Sequence, residues 1–272
     1  MNETTALQDD AVKALEETSR TFFIPIQQLA PNLREAVTSA YLCMRAIDEI
    51  EDHIDLPAPL KIHLLRSISE ILKGPFDESK LTALFEPYNT LLPEVTLRLP
   101  DWATLAPSTI APAILQSTAT MAEGMAKWVE KKWEIETKED LDDYTYYVAG
   151  LVGTLLSEIW MWYDGTKTDP DLAISFGRGL QAVNIIRNRQ EDLERGVDFF
   201  PTNWEFQDMF TYARDNLQLA DTYIKAIEEK SILNFCKIPL ALAHATLDII
   251  EEGESKLSRS DVIQIVDQVT GE

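Results

Sequence analysis

The stretch Arg45-Ala46-Ile47-Asp48-Glu49-Ile50-Glu51-Asp52 places two aspartates four residues apart, directly after an apolar run. Residues four apart lie on one face of an α-helix, so Asp48 and Asp52 point in the same direction. Ile47 and Ile50 flank the acids, which indicates that this face borders the core. A carboxylate pair at the edge of a core needs a cation, and Mg²⁺ prefers oxygen ligands. The stretch therefore predicts either a magnesium site or, as the simpler alternative, an acidic helix surface in water.

Helical periodicity extends over nearly the whole chain of 272 residues, and no stretch shows the alternation typical of a strand. Thr137 and Asp140 have the spacing of a capping box at the start of one helix. Prolines between Phe76 and Pro107 indicate short helices. Longer helices are predicted over about 1–18, 31–55, 60–72, 112–133, 137–162, 172–194, 205–229 and 231–251, with a weaker pattern to the end. We therefore expect an all-α protein that forms a single domain over residues 1–272.

The composition argues against several functions. A formal net charge of −22 argues against binding to nucleic acids and against electrostatic docking on anionic lipid. Cys43 and Cys236 lie within apolar helical patterns and are interpreted as buried thiols rather than as a disulfide. Met1 is not followed by a secretory signal, and no segment has the composition of a clean membrane span. We expect a cytoplasmic protein without a transmembrane anchor.

A second predicted helix also carries oxygen ligands on one face. Asn184, Asn188, Glu191 and Asp192 recur there at helical spacing, whereas the opposite face is apolar. Two such helices facing each other across a bundle would place metal ligands at the mouth of a container. On spacing alone, a magnesium site and a pair of ordinary acidic surfaces both remain open.

Further short motifs surround these two acidic segments. They are Ser19-Arg20-Thr21-Phe22, Tyr41-Leu42, Tyr147-Val148-Ala149-Gly150-Leu151-Val152-Gly153, Asn184-Ile185-Ile186-Arg187, Phe199-Phe200-Pro201, Asn234-Phe235-Cys236, Ile238-Pro239 and Ala245-Thr246-Leu247. In this order, over residues 19 to 257, the set resembles the squalene and phytoene synthases, and squalene synthases more than phytoene synthases. The resemblance implies the isoprenoid synthase (class I terpenoid synthase) fold, a helical bundle with a central apolar cavity. It also implies an enzyme that uses Mg²⁺ to ionise farnesyl diphosphate, or a related prenyl diphosphate, and joins two chains head-to-head.

The resemblance assigns roles to residues by position. It implies as metal ligands Asp48, Glu51, Asp52, Asn188, Glu191 and Asp192. The implied substrate-binding residues are Arg20, Phe22, Tyr41, Arg45, Asn184 and Arg187. The implied catalytic residues are Asp48, Tyr147 and, one turn before it, Tyr144. Aromatic rings stabilise a carbocation and shield it from water. Six aromatic residues could line such a cavity or could equally pack in a core: Phe22, Phe23, Tyr41, Tyr147, Trp160 and Phe176.

Two positions depart from the family pattern. Asn188 stands where the family normally carries an aspartate, and Val197 stands where it usually has an arginine, with Arg195 nearby in a shifted register. A neutral amide holds Mg²⁺ more weakly than a carboxylate, so both changes weaken the second diphosphate site. The segment after Leu247 is short and acidic, which makes use of NADPH a weaker expectation than the condensation itself.

Three functions remain open from the sequence. The first is a squalene-synthase-like enzyme that condenses two farnesyl diphosphates, with or without a reduction. The second is a class I terpene synthase that acts on a single prenyl diphosphate, which Asn188 and Val197 favour. The third is a non-catalytic prenyl-lipid-binding relative, which the intact first motif opposes. For an enzyme of either kind we expect transient membrane contact during product release, while substrate length, product and oligomeric state stay open.

Overall fold

The structure, a computed structural model, describes residues 3–19 and 22–271. Within these ranges every regular element is helical and no strand occurs, so the predicted fold class is confirmed. The helices are α1 (Glu3–Thr18), α2 (Phe23–Gln27), α3 (Pro31–Asp52), α4 (Ala58–Lys73), α5 (Glu78–Phe85), α6 (Glu94–Leu97), α7 (Leu99–Leu105), α8 (Ala111–Glu130), α9 (Lys138–Thr145), α10 (Leu151–Asp164), α11 (Pro170–Glu194), α12 (Phe206–Tyr223), α13 (Lys230–Glu251) and α14 (Arg259–Thr270). A 3₁₀ turn follows α5 (Glu86–Tyr88), and another follows α12 (Ile224–Ala226).

Most helix boundaries follow local signals in the sequence. The Thr137 hydroxyl accepts a hydrogen bond from the Asp140 backbone N–H, and the Asp140 carboxylate accepts one from the Thr137 N–H, which confirms the predicted capping box. Pro31 begins α3, where its missing N–H leaves no hydrogen bond unmade. Gly165 follows α10 with a φ of 82°, a left-handed conformation that favours glycine. Such signals depend on neighbours in sequence, which is why a single chain reveals them.

The predicted helix over 137–162 differs from the structure, where it consists of three parts. Between α9 and α10 lies a π turn, Tyr146–Gly150, which inserts an extra residue into the helical repeat. The turn packs against α11 at very close range, since a Cβ at Gly177 would stand 2.1 Å from the Ala149 carbonyl oxygen. A Cβ at Gly153 would likewise stand 2.0 Å from the Ala173 carbonyl oxygen. Only glycine therefore permits this approach of the helices.

The chain divides at Lys131–Lys132 into two compact units. In the first unit α3 packs against α1, α4, α6, α7 and α8, and its Leu42, Ile47 and Ile50 are fully buried. In the second unit α11 packs against α10, α12, α13 and the π turn. Each unit therefore places one of the two acidic motifs on its central helix. That residues 1–272 form a single domain stays a prediction.

One helix in the described part of the chain, α13, has the length and composition needed to cross a bilayer. Half of its apolar window is buried inside the protein, which is the pattern of a core helix as well as of a membrane span. Its Phe235 ring meets the fully buried Trp160 ring edge-on, with centroids 5.6 Å apart. The apolar face of α13 thus contributes to the core of the second unit.

Candidate functional site

The first acidic motif occupies the last turns of α3, where Arg45 folds back along its own helix. Its guanidinium binds the carboxylates of Asp48 and Glu49, the residues three and four positions later. All three side chains are partly exposed, at 31, 29 and 26% of their full surface. One arginine therefore pairs with two of the four acids in this stretch.

Asp48 lies in an environment that disfavours its negative charge. Burial raises the pKa of Asp48 most, and the nearby Asp52 carboxylate raises it further, against the opposing effect of Arg45. The ionised pair is therefore of high free energy without another cation. Mg²⁺ commonly binds one or two carboxylates together with substrate phosphates. The Asp48 and Asp52 pair fits such a shared ion.

Two buried hydrogen-bond donors near this motif lack an acceptor within the described residues. They are the Arg45 Nε and the Ser19 hydroxyl, and Ser19 is only 2% exposed. Both residues lie near the Tyr41 phenol: burial raises its pKa, whereas Thr18, Arg45 and Ser19 lower it. The Tyr41 hydroxyl donates to the Thr18 carbonyl at 2.8 Å. Because an unmet buried donor costs about 1–3 kcal/mol, this corner of the first unit favours an oxygen-rich anion.

The remaining predicted residues of the first unit have different surroundings. Glu51 is buried, at 4% exposure, and buried Lys61 of α4 donates to its backbone carbonyl, so Glu51 lies on the side of α3 that α4 covers. Phe22 and Tyr41 are both half-buried, with ring centroids 6.4 Å apart. Arg20 lies outside the described residues, and its predicted role stays a prediction.

The second acidic motif lies at the end of α11, where an arginine again pairs with an acid about one turn away. Asp192 is buried, at 6% exposure, and its carboxylate binds the guanidinium of Arg195. The backbone N–H groups of Arg195 and Val197 both donate to the Asp192 carbonyl at 3.0 Å. One turn earlier, Arg187 Nε donates to the Asn188 amide oxygen at 3.1 Å. The structure therefore supplies the Asp192 carboxylate and the Asn188 amide oxygen with internal cations.

Two other predicted ligands sit elsewhere on this helix. Asn184 is half-buried two turns after Gly177, on the α11 face that meets the π turn. Glu191 is exposed to solvent. The metal and substrate roles of both residues stay predictions.

Arg189 organises the loop after α11, although its sequence context does not single it out. Its Nη2 and Nε contact the two carboxylate oxygens of Asp198 at 2.8 and 3.3 Å. The guanidinium also stacks over the Phe200 ring, 3.8 Å from its centroid. Asp198 in turn accepts from the Phe200 backbone N–H at 3.1 Å. The aromatic pair before Pro201 marks this loop in the sequence, but only the fold brings Arg189 to it.

A cleft of about 570 Å³ opens beside this loop within the second unit. Its lining contains all the non-glycine residues of the described chain that have positive φ, namely Lys132, Trp133 and Asn203 at 55°, 53° and 68°. Backbone strain of this kind costs about 1–3 kcal/mol per residue and persists where the surroundings enforce it. The Thr202 N–H donates to the Glu136 carbonyl at 3.1 Å and links the two loops that form the cleft.

The two predicted catalytic tyrosines occupy different environments in the second unit. Tyr144 is buried on α9, and its ring stacks on Phe199 with centroids 4.8 Å apart. Tyr147 is half-buried in the π turn and meets Tyr146 edge-on at 5.3 Å. The Tyr147 ring is thus the more accessible of the two, and π turns often mark functional positions.

The other predicted wall residues divide between core and surface. Trp160 is fully buried and belongs to the core of the second unit. Phe176 is half-buried and packs edge-on against Tyr223 at 5.6 Å. Phe23 is half-buried in the first turn of α2.

Among the described residues, no group of three or more His, Cys, Asp or Glu side chains could hold a metal by itself.

Comparison with known proteins gives a consistent family match. Residues 15–207 match the family described as squalene/phytoene synthase. The chain is 32% identical to a squalene synthase of Eremothecium gossypii over 284 residues, which covers 90% of this chain and 63% of the relative. It is 31% identical to the squalene synthase of Rattus norvegicus over 264 residues, covering 86% of this chain and 62% of the relative. The chain therefore spans less than two thirds of the length of these relatives.

Solved structures show the same fold. A ligand complex of TcSQS superposes with a TM-score of 0.79 at 24% identity, covering 97% of this chain and 86% of that chain. A dehydrosqualene synthase in complex with ligand superposes with a TM-score of 0.70 at 20% identity, covering 99% and 97%. At these identities the likeness shows the fold alone, and that fold is the all-α isoprenoid synthase fold predicted from the motifs.

Proposed function

Because this chain belongs to the squalene/phytoene synthase family, we propose that it is an enzyme that joins two prenyl diphosphates head-to-head, with Mg²⁺ as its metal and farnesyl diphosphate as its substrate. The observation that carries the proposal is the corner of the first unit around Arg45. There the Ser19 hydroxyl and the Arg45 Nε lack an acceptor among the described residues, and they stand near Asp48, whose ionised form burial and Asp52 disfavour. A magnesium diphosphate would supply an oxygen acceptor to these two donors and a divalent cation to Asp48.

The residues of this corner would act by fixed electrostatics. Asp48 and Asp52 would hold Mg²⁺, which neutralises the charge that develops on a departing diphosphate. Arg45, together with Arg20, would donate hydrogen bonds to diphosphate oxygens. Such charge-assisted bonds are about twice as strong as neutral ones and need no rearrangement during the reaction. Tyr41 and Phe22 would shield the allylic cation from water.

Tyr147 is the residue of the second unit that we assign to the reaction. When the double bond of one prenyl chain attacks the allylic cation of the other, the new cation must lose a proton to give a neutral cyclopropyl product. The diphosphate released in the reaction would accept that proton, and the half-buried phenol of Tyr147 would orient it by donating a hydrogen bond. Buried Tyr144, packed on Phe199, would support the ring positions around it.

A class I terpene synthase that ionises one prenyl diphosphate is the second candidate. The observation that favours it is the internal pairing of the second acidic motif, where Asp192 binds Arg195 and Asn188 binds Arg187. A site that needs to hold only one diphosphate needs fewer metal ions. The two candidates share the first motif and differ in the number of prenyl chains in the product.

Product analysis separates the candidates. Purified protein is incubated with farnesyl diphosphate and Mg²⁺, with and without NADPH, and the extracts are examined by mass spectrometry. A C30 product supports the condensation, and its conversion to squalene with NADPH adds the reduction. A C15 hydrocarbon or alcohol supports the second candidate, and no turnover would refute both. Asp48→Asn should be folded but inactive, whereas Glu70→Gln, which changes an exposed acid on α4, should be fully active.

A further inference from the structure

The side chains of the second acidic motif do not fit a magnesium site, and we propose that Arg195 provides the fixed positive charge there in place of a metal ion. This inference rests on the proposed function, since it concerns how the same enzyme holds a diphosphate. It assigns metal binding to the motif on α3 and a metal-free, arginine-based anion site to the end of α11.

The first argument is the partner that Asp192 already has. Asp192 is the only buried acid of the motif, and Arg195 occupies its carboxylate from three positions later. Two backbone N–H groups, from Arg195 and Val197, fix the same turn through the Asp192 carbonyl. A metal ion at Asp192 would have to compete with this guanidinium, as one at Asp48 would compete with Arg45, so the charge around each motif decides between them. Displacing a guanidinium loses a charge-assisted hydrogen bond and costs the dehydration of the ion.

The second argument is the charge around each motif. From Asn184 to Arg195 the chain carries three arginines and three acids, whereas from Arg45 to Asp52 it carries one arginine and four acids. Counted over these residues alone, the α3 motif therefore carries an excess of negative charge, which favours a divalent cation. The α11 motif is balanced, and the acid of the family pattern is replaced by neutral Asn188. Its amide oxygen accepts from Arg187.

The third argument is the placement of Arg195 itself. The Arg195 side chain is 44% exposed, while the Asp192 side chain that holds it is only 9% exposed. Asp192 thus anchors the guanidinium on its buried side and limits its rotation, and part of its surface faces solvent. A pre-positioned guanidinium is a suitable partner for phosphate oxygens because its planar N–H groups can bind two oxygens at once. Arg195 is in this sense the residue that would contact the substrate, and Asp192 is its positioning residue.

The test counts metal ions on variants of the full chain. Mn²⁺ binding is measured by electron paramagnetic resonance in the presence of inorganic pyrophosphate as the probe. We expect Asp48→Asn to lose bound Mn²⁺ and Asp192→Asn to bind as many ions as the unmodified protein. We expect Arg195→Gln to bind at least one ion more, because Asp192 is then released. The matched control is Arg189→Gln, which breaks the neighbouring ion pair with Asp198 and should leave the count unchanged.

Thermal unfolding in the presence of a chelator tests the ion pair between Asp192 and Arg195 without any metal bound. Arg195→Gln should lower the melting temperature by roughly 2–4 °C for each kcal/mol lost. Arg195→Gln should have little effect in the Asp192→Asn background, where no charge is left buried. Loss of an Mn²⁺ ion in Asp192→Asn, or equal effects of Arg195→Gln in both backgrounds, would overturn the inference. If the unmodified protein binds no Mn²⁺ with pyrophosphate, the proposed function fails, and the unfolding series still decides whether Arg195 neutralises Asp192.

Discussion

Arg45 is the residue on which the chemistry of the first unit depends. It pairs with Asp48 and Glu49 along its own helix, and its Nε remains buried without an acceptor among the described residues. It therefore lowers the free energy of the acids and at the same time offers a donor to an anion. Because Arg45 both stabilises the acids and can donate to an anion, it would link the stability of the metal-free protein to binding of the proposed substrate.

Replacing Asp48 by asparagine should stabilise the metal-free protein while it removes activity. The variant removes the charge that burial and Asp52 disfavour, and the remaining amide oxygen can still accept from Arg45. In chelator we expect the melting temperature to rise, by roughly 2–4 °C for each kcal/mol gained. Circular dichroism at the helical minimum measures it, with Glu70→Gln as the control variant.

The pH dependence of this effect has a definite sign. The pKa of Asp48 is higher in the folded than in the unfolded protein, so its contribution to stability is fully present below the unfolded pKa of about 3.8 and is lost as the pH rises through the folded pKa. The asparagine variant should therefore match the unmodified protein in acid and exceed it near neutrality and above. A variant that is less stable at neutral pH, or equally more stable at every pH, would contradict this account of Asp48.

The two cysteines should be unreactive in the folded protein. Both are free and buried, and burial raises the pKa of Cys43 to about 12 and that of Cys236 further above its usual range. The thiolate is the reactive form, so we expect Ellman's reagent to modify the native thiols at least about 100-fold more slowly than those of the protein in urea. Rapid modification of either thiol without urea would show that its helix opens readily or is packed differently.

The π turn and α11 form the element pair that positions Tyr147. Gly177 lets α11 approach Ala149 of the turn, and two helical turns later the same face of α11 carries Asn184. The backbone contact therefore sets the position of one predicted site residue relative to another within the second unit. Because both partners in the contact are backbone, it has little freedom to adjust.

Gly177→Ala should disturb this element pair strongly. The new methyl group would stand 2.1 Å from the Ala149 carbonyl oxygen, so the backbone must move. We expect a loss of about 1–3 kcal/mol in the free energy of unfolding, measured in urea, together with reduced activity. Gly74→Ala is the matched control, since its Cβ would meet only ordinary contacts at 3.7 and 3.9 Å. Equal stability of the two variants would mean that the helices do not meet as closely as described.

Local signals predicted much of this arrangement, and contacts between distant residues account for the rest. The capping box at Thr137 and the shared face of Asp48 and Asp52 follow from spacing along one helix. The π turn was not predicted, because its extra residue turns the following positions by about 100°, and flanking helices of 8 and 14 residues hold too few apolar positions to reveal that shift. The stacking of Arg189 on Phe200 depends on how a loop folds back on α11.

The pairing of Asp192 with Arg195 is a separate case. Arg195 was visible in the sequence as a shifted replacement for the arginine missing at Val197, but its partner was not. Asp192 and Arg195 are three positions apart, a spacing at which charged side chains pair on a helix, but the spacing alone does not distinguish this pairing from exposure of both side chains.

At the scale of the whole molecule, the chain is built from two compact helical units, each with one acidic motif on its central helix. The unit that contains α3 has donors without an acceptor among the described residues, while on α11 Asp192 is paired with Arg195. Family membership and fold agree with the motif order read from the sequence. What distinguishes this chain from the family pattern is concentrated on α11 and the loop that follows it.

The proposed joining of two prenyl chains is tested most directly with a mixture of unlabelled and fully deuterated farnesyl diphosphate. The protein is incubated with equal amounts of both and Mg²⁺, and the products are separated by mass. Head-to-head condensation predicts C30 products that contain no, one or two labelled halves, with the mixed species most abundant. Products that contain only fully labelled or only unlabelled C15 skeletons would contradict the condensation and assign the chain to enzymes that act on a single prenyl diphosphate.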